Sequence, residues 1–141
     1  MLFRSGVDVL FGGGAENFIA GDQSYLGKDY YQEFRNAGYN VVFNKTDMEN
    51  TDNKEKTLGI FTISNLEKWV DREVLTKNLV GQKNSPTGDG SDALDQPGLK
   101  EMTLKVYGII TCVDQVLTMH SRPSISSMSA PRMIKTRVGT S

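Results

Sequence analysis

GVDVLFGGG at residues 6–14 is an apolar run that stops abruptly at three consecutive glycines. No other stretch narrows the available folds so far. Val7, Val9, Leu10 and Phe11 lack the polar alternation of a half-exposed strand and predict a buried one, as in parallel sheets covered on both faces. Gly12, Gly13 and Gly14 end it in a turn where φ can be positive and another backbone can approach closely, as at the C-terminal edge of an open α/β sheet. A phosphate-cradling loop is the sharper reading of the same glycines. GGGAEN lacks the third glycine of the dinucleotide fingerprint, so the tight turn is preferred. Gly27-Lys28 does not make a nucleotide loop either, because Gly21 lies one residue too far upstream and Asp29 stands where a Ser or Thr would hold magnesium.

The segments that follow alternate in type. Residues 15–28 read as surface loop. Asp29 is placed to cap a helix in which Tyr30, Tyr31 and Phe34 recur at helical spacing, and Gly38 suits the left-handed residue after its end. YNVVF at 39–43 reads as a second strand, and a parallel pair joined by a right-handed crossover is the economical arrangement for the two. Thr46-Asp47-Met48-Glu49 forms an S/T-x-x-E capping box for a short helix. LGIFTI at 58–63 is the third strand. Residues 64–96 keep no period and are dense in turn formers between Asn84 and Gly90, which predicts a long excursion with short embedded structure. Pro97, preceded by Asp95, opens the strongest helix, with Leu99, Met102, Val106 and Ile109 or Ile110 on one stripe. Three short strands and two helices of any size leave a parallel sheet open along an edge or a face.

Composition sets further limits. With 141 residues and a formal net charge of -1, the chain has the size of one domain and no bulk charge that would favour nucleic acid or membrane. No run of eighteen or more apolar residues is present, so there is no membrane segment, and Arg4 and Asp8 interrupt the opening MLFRSGVDVLF, which makes it a poor signal peptide. Cys112 is the single cysteine and His120 the single histidine. An internal disulfide, a thiolate metal site and a multi-histidine zinc site are therefore all excluded within these residues. Residues 115–141 contain no acid, no Phe, Tyr or Trp, nine Ser or Thr, and the basic residues Arg122, Arg132, Lys135 and Arg137. This composition predicts a solvated, disordered tail, and the lack of aromatic residues for stacking argues against specific nucleic-acid binding. The domain division expected is an α/β unit over 1–113 and a basic Ser-rich tail over 114–141. The abruptness of the junction predicts that an unspliced intron or a shifted frame supplies the tail.

Of the remaining side chains, Glu67, Lys68, Asp71 and Arg72 read as a solvated charged surface, and Trp69 as a packing anchor. Asn44-Lys45-Thr46 is a glycosylation sequon that coincides with a strand end and a helix cap, so Asn44 is the one candidate modification site.

Three segments, VDVLFGGGAENF at 7–18, KTLGIFTISNLEKWVDR at 56–72 and DALDQPGLKEMTLK at 92–105, together resemble the alkaline phosphatases, most closely the fungal type. The resemblance covers residues 7–110 and implies a fragment of a doubly wound parallel sheet. It also implies the family's chemistry: phosphate monoester hydrolysis through a phosphorylated serine, with two zinc ions and one magnesium ion activating the serine and the attacking water. Homodimerisation and a secretory or vacuolar route are implied by the family as well. The family's nucleophile, first metal aspartate and phosphate-holding arginine lie upstream of the matched stretch, and its later ligands come after the Pro97 helix. No catalytic, cofactor-binding or metal-ligating residue is therefore assigned, and the chain alone is expected to bind no cofactor and to be inactive. Thr62 and Gln96 occupy positions where animal members carry calcium ligands, but neither supplies an anionic oxygen. The alternative is a noncatalytic binding module that uses the long loop or the basic tail.

Overall fold

The computed structural model describes residues 6–120; Arg122 and the rest of the basic tail lie outside the described residues. Three strands, β1 (Val9–Gly12), β2 (Asn40–Val42) and β3 (Thr57–Ile60), form a parallel sheet in the order β1-β3-β2. Val9 and Asn40 both register against Thr57. The helices are α1 (Tyr30–Asn36), α2 (Lys45–Asn50) and α3 (Leu99–His120). The long excursion holds only a π-type turn at Val70–Val74 and a 3-10 turn at Thr76–Leu79.

Strand alternation divides the core into two layers. Leu10, Val41, Leu58 and Ile60 point to one face, where Tyr31 and Phe34 of α1 cover them together with Phe18 and Phe43. The layer is largely aromatic: Phe18 stacks on Tyr31 at 5.6 Å, and Phe43 meets Tyr31 edge-on at 4.9 Å between ring centroids. Phe11, Val42 and Phe61 point to the other face, beneath Met48 of α2 and Met102 of α3. Helices on both faces of a parallel sheet make the doubly wound α/β arrangement that the sequence implies.

Gly59 explains how the central strand accommodates its second face. A Cβ there would lie 2.5 Å from Phe61 and 2.7 Å from Phe11, so the two rings close over the glycine. Every residue of β3 is buried, whereas all four of β1 are only half-buried. β1 is thus an edge strand among the described residues, with solvent reaching the side away from β3.

Several local expectations hold. The Asp29 carboxylate accepts from the Gln32 N–H at 3.2 Å, and Gly38 takes φ +85° after α1. Others are corrected. β1 and β2 are not neighbours: β3 lies between them, because the strand buried on both faces takes the central place. α2 is capped by Asn44, not by the box at Thr46. Asn44 leaves β2 extended and its Oδ1 accepts from the Asp47 N–H at 2.6 Å, while the Thr46 hydroxyl turns to Asp95 at 2.7 Å. Trp69 is 58% exposed and so is not the buried anchor expected. In α3 Ile109 is fully buried and Met102 packs on the sheet, but Leu99 stands in solvent. α3 itself runs from Leu99 to His120.

Candidate functional site

In an open α/β sheet, ligands gather beyond the C-terminal ends of the strands. Here that edge is closed by its own backbone. Beyond Gly12 the exits of β1 and β3 run side by side: the Phe61 N–H donates to Gly12 O at 2.9 Å, Gly14 N–H to Ser64 O at 2.6 Å, Ala15 N–H to Thr62 O at 3.1 Å and Glu16 N–H to Ile63 O at 3.0 Å. Gly13 permits the contact, since a Cβ at that position would stand 2.1 Å from Ser64 O. Gly14 turns the chain with φ +87°. The N–H groups of Gly14, Ala15 and Glu16 are all committed to carbonyls, which favours the tight turn over a phosphate cradle. A hollow of about 270 Å³ lies against this turn, lined by Gly13, Gly14, Glu16, Asn17, Ser64, Asn65 and Leu66. Glu16 is its one carboxylate.

The excursion does not hang free of the sheet. Ile63 N–H donates to Asn84 O at 2.9 Å, and the Tyr31 hydroxyl donates to Pro86 O at 2.8 Å. Burial, reinforced by the negative charge of Asp29, pushes the Tyr31 phenol well above its usual value. Gln96, 4% exposed, ties the return of the loop to its start, with Oε1 accepting from Glu67 N–H at 3.1 Å and Nε2 donating to Ala93 O at 2.8 Å. Thr62 is fully buried and its hydroxyl donates to Ser64 O at 3.0 Å. Thr62 and Gln96, the positions that the resemblance sets against calcium ligands, are thus side chains that bond backbone. Of the charged residues read as surface, Arg72 reaches the Pro97 carbonyl and Asp71 accepts from Asn78 at 2.8 Å.

Four aspartates that the sequence does not read as one group meet in one place. Asp47, Asp89, Asp92 and Asp95 line a cleft of about 430 Å³ with Asn44, Ser85 and Thr87. The even spacing of Asp89, Asp92 and Asp95 is the one signal of it in the sequence. Each carboxylate is already engaged. Asp92 caps a turn, accepting from Gly81 N–H at 2.7 Å and Lys83 N–H at 2.8 Å, and these bonds hold its carboxyl below the usual range. Asp89 is likewise held below the usual range by the Ser91 hydroxyl and N–H. Asp95 accepts from the Thr46 hydroxyl and N–H, and Asp47 from Asn44 Nδ2 at 2.7 Å. The sequon therefore sits on the rim of this cleft with the Asn44 amide and the Thr46 hydroxyl both in use. No group of three or more His, Cys, Asp or Glu that could hold a metal ion occurs among the described residues.

The alkaline phosphatase family profile matches residues 1–111, which takes in all of β1, β2 and β3 and the first half of α3. The chain belongs to the alkaline phosphatase family. Its sequence is 37% identical over 79 residues to alkaline phosphatase 3 of Bacillus subtilis, across 55% of this chain and 15% of that protein. Its fold is similar to that of the crystal structure of Thermus thermophilus alkaline phosphatase, with a TM-score of 0.59 and 24% identity over 78% of this chain and 19% of that one. The three-stranded parallel sheet with helices on both faces is accordingly a fragment of the alkaline phosphatase fold. The chain spans less than a fifth of the length of either relative.

Proposed function

We propose that this chain is a scaffold segment of an alkaline phosphatase, a phosphate monoester hydrolase that works through a phosphoserine, and that it does not hydrolyse esters alone. The observation that carries the reading is the family match over residues 1–111 on a stretch whose clustered aspartates are committed to internal hydrogen bonds. In such an enzyme, zinc and magnesium would supply charge stabilisation at the attacking and leaving oxygens and lower the pKa of bound water. The described residues do not fit that role. The lone histidine, His120, ends α3, and the carboxylates of the acidic cleft accept from backbone, hydroxyl and amide donors. No step of the reaction is therefore assigned to this chain, whose role is to hold the sheet edge on which a complete site is built. Homodimerisation and the fungal subtype belong to this reading and rest on family likeness alone.

The test is hydrolysis of p-nitrophenyl phosphate by the purified chain with added zinc and magnesium, beside the Bacillus enzyme as a positive control. The expected outcome is no turnover above buffer. Chelator-sensitive turnover by this chain would overturn the reading.

A further inference from the structure

Asn44-Lys45-Thr46 is the one place in the sequence where Ser or Thr stands two residues after Asn. The spacing matters chemically: an oligosaccharide is transferred to the Asn amide nitrogen when a hydroxyl two residues on is free to engage the transferase. In the folded chain both groups are engaged. Asn44 Oδ1 accepts from Asp47 N–H at 2.6 Å, and Asn44 Nδ2 donates to Asp47 Oδ2 at 2.7 Å. Asp95 takes the other half. Its Oδ2 accepts from the Thr46 hydroxyl at 2.7 Å and from Thr46 N–H at 2.9 Å, while its carbonyl accepts from Lys45 N–H at 2.8 Å. A transferase would have to break these bonds and unwind the start of α2 to reach amide and hydroxyl together.

The residue that closes the sequon arrives late. Asp95 follows Thr46 by 49 residues, so at about 5–20 residues per second the sequon leaves the ribosome roughly 2–10 s ahead of it. The finished fold can also carry the product. Transfer removes one proton from Asn44 Nδ2 and joins that nitrogen to the anomeric carbon of the oligosaccharide, whose bond to a lipid-linked diphosphate breaks, the diphosphate leaving with the electron pair. Oδ1 is untouched, so the bond from Asp47 N–H that caps α2 survives. The Asp47 side chain is exposed and free to turn aside, and the cleft of about 430 Å³ beside Asn44 leaves room for the first sugar. We propose that Asn44 is an N-glycosylation acceptor that is modified on the unfolded chain and closed once Asp95 docks on Thr46.

The full chain is incubated with a single-subunit oligosaccharyltransferase and a lipid-diphosphate-linked oligosaccharide, and peptide mass spectrometry reads occupancy at Asn44. Leu58→Asp places a charge at a fully buried position of the central strand and serves as the unfolded form of the same chain, verified by loss of its circular dichroism. Chain freshly diluted from urea is a second unfolded form. Modification of the unfolded chain at Asn44 is expected, with the native chain at least tenfold slower. In the unfolded chain Thr46→Ala should abolish modification and Thr46→Ser should retain it, which ties the reaction to the sequon and not to the cap at Asn44. In the folded protein Asp95→Ala should raise the rate at least fivefold. Asp92→Ala is the control, since it removes turn bonds from the same loop and leaves Thr46 held. No occupancy in the unfolded chain, equal rates in native and unfolded chains, or Asp92→Ala opening the site as far as Asp95→Ala would each overturn the proposal.

Discussion

Of the three glycines after β1, each meets a different demand, and substitution should separate them. Gly12 has nothing within 4 Å of a Cβ position, Gly13 has Ser64 O at 2.1 Å, and Gly14 has φ +87°. Gly13→Ala must push apart a pair of hydrogen-bonded backbones and should cost at least about 1–3 kcal/mol, the range for overpacking. Gly14→Ala places a side chain in the left-handed region, at about 1–2 kcal/mol. Gly12→Ala should be neutral or slightly stabilising, because it only reduces the freedom of the unfolded chain. Urea denaturation of the three variants checks the order, and an equal cost at all three positions would contradict this account of the turn. Tyr31 supports a second prediction at this scale. Its hydroxyl donates to Pro86 O from a buried site, and its pKa is raised from the ordinary 10.0. A raised folded-state pKa in an acid means that the neutral phenol's contribution is fully present below the ordinary value and is lost as pH climbs past it. Stability should therefore fall above about pH 10, and Tyr31→Phe should lower stability by about 1 kcal/mol near neutrality while flattening the alkaline decline. Thermal midpoints of both proteins across the range from neutral to strongly alkaline pH decide it.

Elements whose signals are local are legible in the sequence. Asp29 and Gly38 bracket α1 as their neighbours dictate, and the three strands stand where β-branched and aromatic residues cluster. What escapes depends on contacts between segments far apart in the chain. Thr46 has the sequence context of a cap, but its hydroxyl is drawn to Asp95, 49 residues away, and Asn44 takes the capping role. β3 is readable as a strand but not as the central one, because the order of strands is decided by which faces are covered. The aspartate cleft escapes because Asp47 and the Asp89-Asp92-Asp95 series lie on separate elements. Trp69 escapes because its exposure depends on what packs over the excursion. The α2 cap makes a direct test. Asn44→Ala should cost about 1 kcal/mol, or roughly 4 °C in thermal midpoint for a domain of this size, and Asn44→Asp should restore most of it by keeping the acceptor for Asp47 N–H. A larger loss from Thr46→Ala than from Asn44→Ala would return the cap to Thr46.

At the scale of the whole molecule, cooperativity should radiate from β3. Among the described residues that strand alone has parallel partners on both sides, all four of its residues are buried, and both core layers meet across it. Opening it requires separating it from both neighbours, whereas β1 can leave from the edge, and past Ile109 in α3 the residues Ile110, Asp114 and Gln115 are exposed. Local opening free energies scale with the buried contacts that must be broken. Native-state hydrogen exchange should therefore show the amides of Leu58, Gly59, Ile60 and Phe61 exchanging slowest, at the rate of global unfolding. Those of β1 should be intermediate, and those of α3 beyond Ile110 faster by one or more orders of magnitude. The ranking separates two descriptions of the fragment. If β1 is as protected as β3, something other than β3 covers its open edge in solution, and self-association would be the first cause to examine by repeating the exchange at several protein concentrations. If β3 itself exchanges as fast as the outer half of α3, the sheet does not hold without the remainder of the fold, and the exposed face of α3 would be one sign of a shortage of covering surface that extends through the whole chain.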